Sequence, residues 1–189
     1  MDSREKIYGV VLPVPEALAR RANRARRLYD PNFRFIGPHV TVLPPRRLAL
    51  SREAVVEAVR SVAAKTNPFR IRLGAVRTFR PVMPVVFVGF RRGAGELRRL
   101  HRRLARTRLA GAETFPYVPH LTLGQRLEDG HLEKAVSFSR KLFPSRHALP
   151  SWPAEFLLVV ERRTERRWMT LDPVALPAVS ARPRRSRRG

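Results

Sequence analysis

Pro38-His39-Val40-Thr41-Val42 and, 81 residues later, Pro119-His120-Leu121-Thr122-Leu123 are nearly one segment written twice. Each is a proline followed by His-x-Thr-x, with aliphatic residues at both x positions. Side chains alternate faces along an extended strand, so His39 and Thr41 point one way while Val40 and Val42 point the other. His120 and Thr122 stand in the same relation to Leu121 and Leu123. The pattern predicts two strands that each display an imidazole and a hydroxyl from one face and bury the other. A single copy reads more readily as an ordinary strand with an outward histidine. Two copies in matching surroundings point to chemistry.

The chemistry follows from the groups. Histidine gives or takes a proton near neutral pH without large retuning. Two of them flanking one reacting centre supply a general base and a general acid in the same turnover. The hydroxyls of Thr41 and Thr122 can hydrogen-bond an anionic oxygen between the rings. A phosphate fits that arrangement, since its transfer needs a base at the attacking oxygen, an acid at the leaving oxygen and donors for the rest.

Working outward, the chain reads as strand, helix, motif strand, helix, strand, twice over. In the first half, residues 6–12 form a strand. A helix from Pro15 follows, with Leu18, Ala22, Ala25 and Tyr29 on one face. A loop with Pro31 and Gly37 leads into the His39 strand, which Pro44-Pro45 is expected to end. Ser51 caps a helix with Val55, Val59 and Val62 buried. Phe69, Ile71 and Leu73 then alternate with Arg70 and Arg72 as a half-exposed strand. In the second half, residues 85–90 form a strand buried on both faces. Gly93-Ala94-Gly95 opens a helix with Leu97, Leu100 and Leu104 in phase. The His120 strand comes next, then a helix carrying Leu132, Ala135, Val136 and Ser139 that stops at Pro144. Residues 155–161 and 168–171 form a closing hairpin. Gly9 to His39 spans 30 residues and Gly89 to His120 spans 31, which suggests an internal duplication.

At 189 residues the chain suits one compact domain or two fused half-domains. With no cysteine, disulfides and thiolate chemistry are excluded. Residues 7–14 read as a strand and not a signal peptide. No run approaches the ~20 apolar residues of a membrane span, so no membrane partner is expected and the cytoplasm is the default location. The formal charge of +24 comes almost entirely from arginine, with Lys6, Lys65, Lys134 and Lys141 the only lysines. It is either an electrostatic footprint for nucleic acid or the mark of a GC-rich genome. Residues 178–189, rich in arginine and without periodicity, are expected to be a basic disordered tail.

Among the other histidines, His101 is expected to be solvated among arginines, His131 to lie at a helix start and His147 in a basic loop. A catalytic zinc site needs about three protein ligands. Neither motif has such partners at suitable spacing, so no metal is expected. No phosphate-binding or dinucleotide glycine loop is present, so ATP and NAD are not implied and no cofactor is expected. Phe79, Phe115 and Tyr117 lie close enough in sequence to the site to stack a base, though each reads more readily as a core or hinge packing residue.

The doubled proline-His-x-Thr-x motif resembles the 2H phosphoesterase superfamily, which includes RNA 2',3'-cyclic phosphodiesterases historically called 2'-5' RNA ligases. Tyr29-Asp30-Pro31 through Ile36-Gly37-Pro38-His39 is most similar to a YjcG-like bacterial branch, and the resemblance covers roughly residues 6–173. Many RNA-ligase-like relatives carry arginine where this chain has Gln125, with Arg126 one place later, so Arg126 is the candidate substrate ligand.

The resemblance implies an α+β, bilobal fold of two pseudo-symmetric lobes. Each lobe has an antiparallel-rich sheet and helices, with a central cleft between them. One domain over residues 1–177 is expected, with lobes roughly 1–80 and 81–177 and room for strand exchange. A monomer is expected, and the resemblance also implies metal-independent hydrolysis of a 2',3'-cyclic phosphate, on RNA ends or nucleotides, to a 2'-phosphate. His39, Thr41, His120 and Thr122 would be the catalytic residues. A 2'-5' RNA ligase or 2'-5' phosphodiesterase remains an alternative, as does a non-catalytic RNA-binding protein.

Overall fold

The computed structural model describes residues 5–144, 149–164 and 167–178. The elements run β1 (Lys6–Pro13), α1 (Glu16–Tyr29), β2 (His39–Leu48), α2 (Arg52–Ala64), β3 (Arg70–Thr78) and β4 (Val86–Arg92). They continue α3 (Ala94–Leu104), β5 (Leu121–Gly124), α4 (Asp129–Leu142), β6 (Trp152–Pro153), β7 (Phe156–Arg162) and β8 (Trp168–Ala175). His147 and residues 179–189 of the expected tail lie outside the described residues.

One curled, antiparallel run of strands in the order β6-β3-β4-β5-β2-β1-β7-β8 organises the molecule. Its seam is β2 against β5, paired at Val40 and Leu121, the middle residues of the two His-x-Thr segments. Outward from the seam the order is symmetric: β1 answers β4, β7 answers β3, and β8 answers β6. One long strand of each sequence half crosses over. β3 pairs with β4, and β7 pairs with β1. The helices cross as well, since α1 packs on β5 and α3 on β2. This is the α+β, two-lobed arrangement the sequence led us to expect.

Local sequence accounts for the elements. α1 buries Leu18, Ala22 and Ala25 on one stripe. Ser51 accepts from the amide of Ala54 and caps α2, which buries Val55, Val59 and Val62. Gly93, at φ +89°, sits where a Cβ would come within 3.0 Å of the Arg70 carbonyl oxygen, so the turn from β4 into α3 requires glycine. The inner faces of β1 and β2, with Tyr8, Val10 and Leu12 beside Val40 and Val42, join these helices in a continuous core.

Three expectations need correction. Pro44-Pro45 does not end the motif strand, because β2 continues to Leu48. The register of β1 on β2 shifts around Gly9, opposite these prolines, and a bulge tolerates their missing N–H groups. β4 is buried on both faces only at Val86, Phe87 and Val88; Arg91 and Arg92 are exposed. His101 is not solvated. It lies four residues from Leu97 and one from Leu100, on the buried stripe of α3, and is 6 % exposed.

Candidate active site

The concave side of the seam carries a cleft of about 290 Å³. Alternation along β2 places His39, Thr41, Leu43 and Pro45 on it while Val40 and Val42 face the core. β5 adds Thr122, and His120 stands just ahead of it. The structure thus brings the four motif side chains to one cleft. Antiparallel register carried one residue either way from Val40 and Leu121 sets His39 across from Thr122 and Thr41 across from His120. Each imidazole therefore has the other motif's hydroxyl as its cross-strand neighbour.

Both rings are held alike. Nδ1 of His39 donates to the Gly37 carbonyl at 2.7 Å, and Nδ1 of His120 to the Val118 carbonyl at 2.7 Å. A carbonyl only accepts, so the proton in the neutral ring is on Nδ1 and Nε2 is the position that exchanges. Burial lowers the pKa of both histidines below the ordinary 6.5, against the opposing pull of those carbonyl bonds. For His39 the Arg26 cation and His120 add to the lowering, while Asp30 opposes it.

Arg26 and Asp30 also line the cleft, as does Gln125. Nε of Arg26 donates to Asp30 Oδ2 at 2.9 Å, with both side chains almost fully buried. A second guanidinium nitrogen reaches the Ile36 carbonyl at 2.7 Å. Asp30 Oδ1 accepts from the Asn32 amide at 2.9 Å and from Gln125 Nε2 at 2.8 Å. One carboxylate thereby ties the end of α1, the loop into His39 and the residue after β5. Arg26 escaped the sequence reading because one arginine looks like another. The available signal was its place on the apolar stripe of α1, four residues after Ala22 and four before an aspartate.

The proposed substrate contacts fall in different places, and none of the four is among the residues lining the cleft. Phe79 stacks on Phe87 and meets the His120 ring edge-on, with centroids 5.0 Å apart. Tyr117 donates its hydroxyl to the Thr41 carbonyl at 2.8 Å and stacks on His101 at 3.9 Å. His101 in turn bonds the Val42 carbonyl at 2.8 Å and faces Glu113 at 3.2 Å, and Glu113 also holds Arg46. This cluster clamps the back of β2. Phe115 is half exposed, and Arg126 is exposed at φ 55°. His131 is a surface residue near Glu128. Among the described residues, no cluster of three or more histidine and carboxylate side chains is arranged to hold a metal ion.

Comparison with known proteins places this architecture. A "Putative phosphoesterase" of Bacillus pumilus is 35% identical over 123 residues, 65% of this chain and 71% of the relative. A protein of Bacillus cytotoxicus with a like name is 32% identical over 122 residues, 64% of this chain and 70% of the relative. Among solved structures, Escherichia coli LigT complexed with 3'-AMP superimposes with a TM-score of 0.64 at 16% identity, covering 92% of this chain and 99% of that one. That likeness concerns the fold. The family model of the 2'-5' RNA ligase superfamily matches residues 14–155, which include both motifs and the two strands, β2 and β5, that meet at the seam. The chain belongs to the 2'-5' RNA ligase superfamily, the 2H phosphoesterases.

Proposed function

We propose that the cleft hydrolyses a 2',3'-cyclic phosphate, on an RNA end or a nucleotide, to a 2'-phosphate. The observation that carries this reading is the paired fixation of His39 and His120, each with Nδ1 on the carbonyl two residues back. One neutral imidazole takes a proton from water through Nε2 as the water oxygen bonds to phosphorus. The bond from phosphorus to the ribose 3' oxygen breaks in line, and the second, protonated imidazole gives that oxygen its proton. Thr41 and Thr122 hydrogen-bond the non-bridging oxygens as charge builds there, a preorganised stabilisation that often carries much of catalysis. No step calls on a metal. The steps balance with either histidine as base.

The other residues act around this centre. Arg26 lies beside His39 with its charge matched by Asp30, so it adds a fixed field without an unpaired buried cation. Phe79 packs against His120 and restricts its ring. Tyr117 fixes the Thr41 backbone from behind. Phe115 and Arg126 stay candidates for substrate contact from the rim, since both are exposed.

The test is a product assay without added metal, using a panel of 2',3'-cyclic nucleotides, short cyclic-ended RNAs and a 2'-5' dinucleotide. Release of 2'-phosphates from the cyclic substrates is the expected result. Cleavage of the 2'-5' dinucleotide alone would replace this reading with a 2'-5' phosphodiesterase.

A further inference from the structure

Among the described residues, β2 and β5 share a single backbone pair, Val40 with Leu121. A longer ladder fixes the spacing of two strands through successive hydrogen bonds. Here the spacing on either side of that one pair is left to other contacts. Two cross-strand relations depend on it, His39 with Thr122 and Thr41 with His120.

Each relation has its own brace, and each brace comes from the helix packed on the other motif's strand. α1 packs on β5. Its end holds Gln125, just past β5, through Asp30 Oδ1 and the Tyr29 carbonyl. It also holds the loop into His39, through the Asn32 amide and the Ile36 carbonyl. α3 packs on β2. Nδ1 of His101 donates to the Val42 carbonyl in β2 at 2.8 Å. The same ring stacks on Tyr117, in the loop into His120, with centroids 3.9 Å apart.

The second brace closes on the site itself. The Tyr117 hydroxyl donates to the carbonyl of Thr41 at 2.8 Å, and the carbonyl of the next residue, Val118, accepts from His120 Nδ1 at 2.7 Å. Two consecutive residues thereby hold Thr41 and His120 together. Val11 pairs with Thr41 and Val10 with Leu43, so Val42 has no partner on β1 and forms a bulge. Bulges re-aim neighbouring side chains, and this one follows Thr41 directly. His101 pins it, with Glu113 3.2 Å from its Nε2. Burial pushes the Tyr117 hydroxyl well above its ordinary pKa, so it stays a donor wherever the histidines work.

We propose that His101 and Tyr117 are positioning residues, which set the Thr41 hydroxyl against His120 at the reacting phosphate. This rests on the cleft reading above and divides that site in two: loosening this brace leaves His39 and Thr122 in place.

The experiment is a mutant cycle in the full chain, with Tyr117→Phe made in the wild-type, Thr41→Ala and Thr122→Ala backgrounds. Tyr117→Phe removes one hydroxyl and keeps the ring stack. Misplacement by ~1 Å can cost about 10²-fold in rate. We expect Tyr117→Phe to lose about tenfold in kcat on a 2',3'-cyclic mononucleotide, with KM within about twofold of wild type. The loss should vanish in Thr41→Ala, where no hydroxyl is left to place, and persist in Thr122→Ala, which belongs to the other brace. His101→Asn, which keeps an amide donor for the Val42 carbonyl, should retain more activity than His101→Leu.

Equal losses in all three backgrounds would mean general loosening and would overturn the brace, as would full activity of Tyr117→Phe. Calorimetric binding of inorganic phosphate to the same variants needs no turnover, so the two readings fail separately. A wild-type protein that binds phosphate and hydrolyses no cyclic substrate refutes the cleft chemistry. The brace then stands if Tyr117→Phe weakens phosphate binding in Thr122→Ala and not in Thr41→Ala, and falls otherwise. A wild-type protein that binds no phosphate refutes both.

Discussion

Val40 and Leu121 lie opposite each other across β2 and β5, and each is the middle residue of its His-x-Thr segment. Both are fully buried. The pseudo-twofold relation of the two halves thus runs through an apolar contact beneath the site, and the polar groups diverge from it onto the concave face. The proposed catalytic pair is therefore set by strand register. A one-residue slip of either strand would turn that strand's histidine into the core.

His39→Ala and His120→Ala should each lower turnover of a cyclic phosphate by at least about 10²-fold, the usual worth of one positioned proton transfer. Thr41→Ala and Thr122→Ala should be impaired less. Circular dichroism of each variant separates lost chemistry from lost fold. Near wild-type turnover in either histidine variant would sink the two-histidine mechanism.

The pH profile of kcat/KM should be bell-shaped and lie to the acid side of 6.5, because burial lowers both histidines in the free protein. A bound phosphate anion favours the protonated rings, so the kcat profile should shift to higher pH. Folding stability follows the same groups. The unfolded chain binds protons that the buried histidines refuse. The stabilisation is therefore complete above about pH 6.5 and falls as pH drops through the depressed folded values. Denaturation midpoints between pH 5 and 8 test the sign.

Arg26→Met should destabilise the protein by about 3–5 kcal/mol, the cost of stranding a buried partner charge. Asp30 would lose its guanidinium while staying almost fully buried. Urea unfolding of this variant and of the double variant Arg26→Met/Asp30→Asn measures the coupling. The double variant should recover part of the loss, and additive losses would mean the pair is not coupled.

Gly124→Ala should cost roughly 1–3 kcal/mol, the range for overpacking a tight site. A Cβ there would come within 2.9 Å of Tyr29 Cβ and 3.1 Å of its carbonyl oxygen, where α1 ends against β5. Since Gln125 donates its amide to that same carbonyl, the variant should also loosen the Asp30 network. A thermal midpoint equal to wild type would show that α1 gives way without strain.

The motif strands were legible because period-two alternation and a repeated polar pair are local signals. Helices α1 to α4 were legible from stripes such as Leu97, Leu100 and Leu104. His101 belonged to that same stripe and was misread because its arginine neighbours weighed more than its phase. The partner that makes its burial tolerable, Glu113, lies in a loop without periodicity. Arg26 and Asp30 are a four-residue pair visible in the sequence, yet their burial depends on Gln125, brought from the far side of the seam. β6, two residues long, exists through its pairing with β3 and leaves no pattern to read.

The crossing of β3 and β7 also governs how this chain can come to its native state. β1 precedes the other described strands, yet Ile7 pairs with Arg162 in β7, so its outer edge stays open until β7 (Phe156–Arg162) has been made. Pairings of such long range close large loops before they are rewarded and are slow to form. Neither half can complete its own sheet, because each supplies a strand to the other. Synthesis of the first half alone yields β3 without β4 and β1 without β7, two apolar edges exposed to whatever chain is nearby.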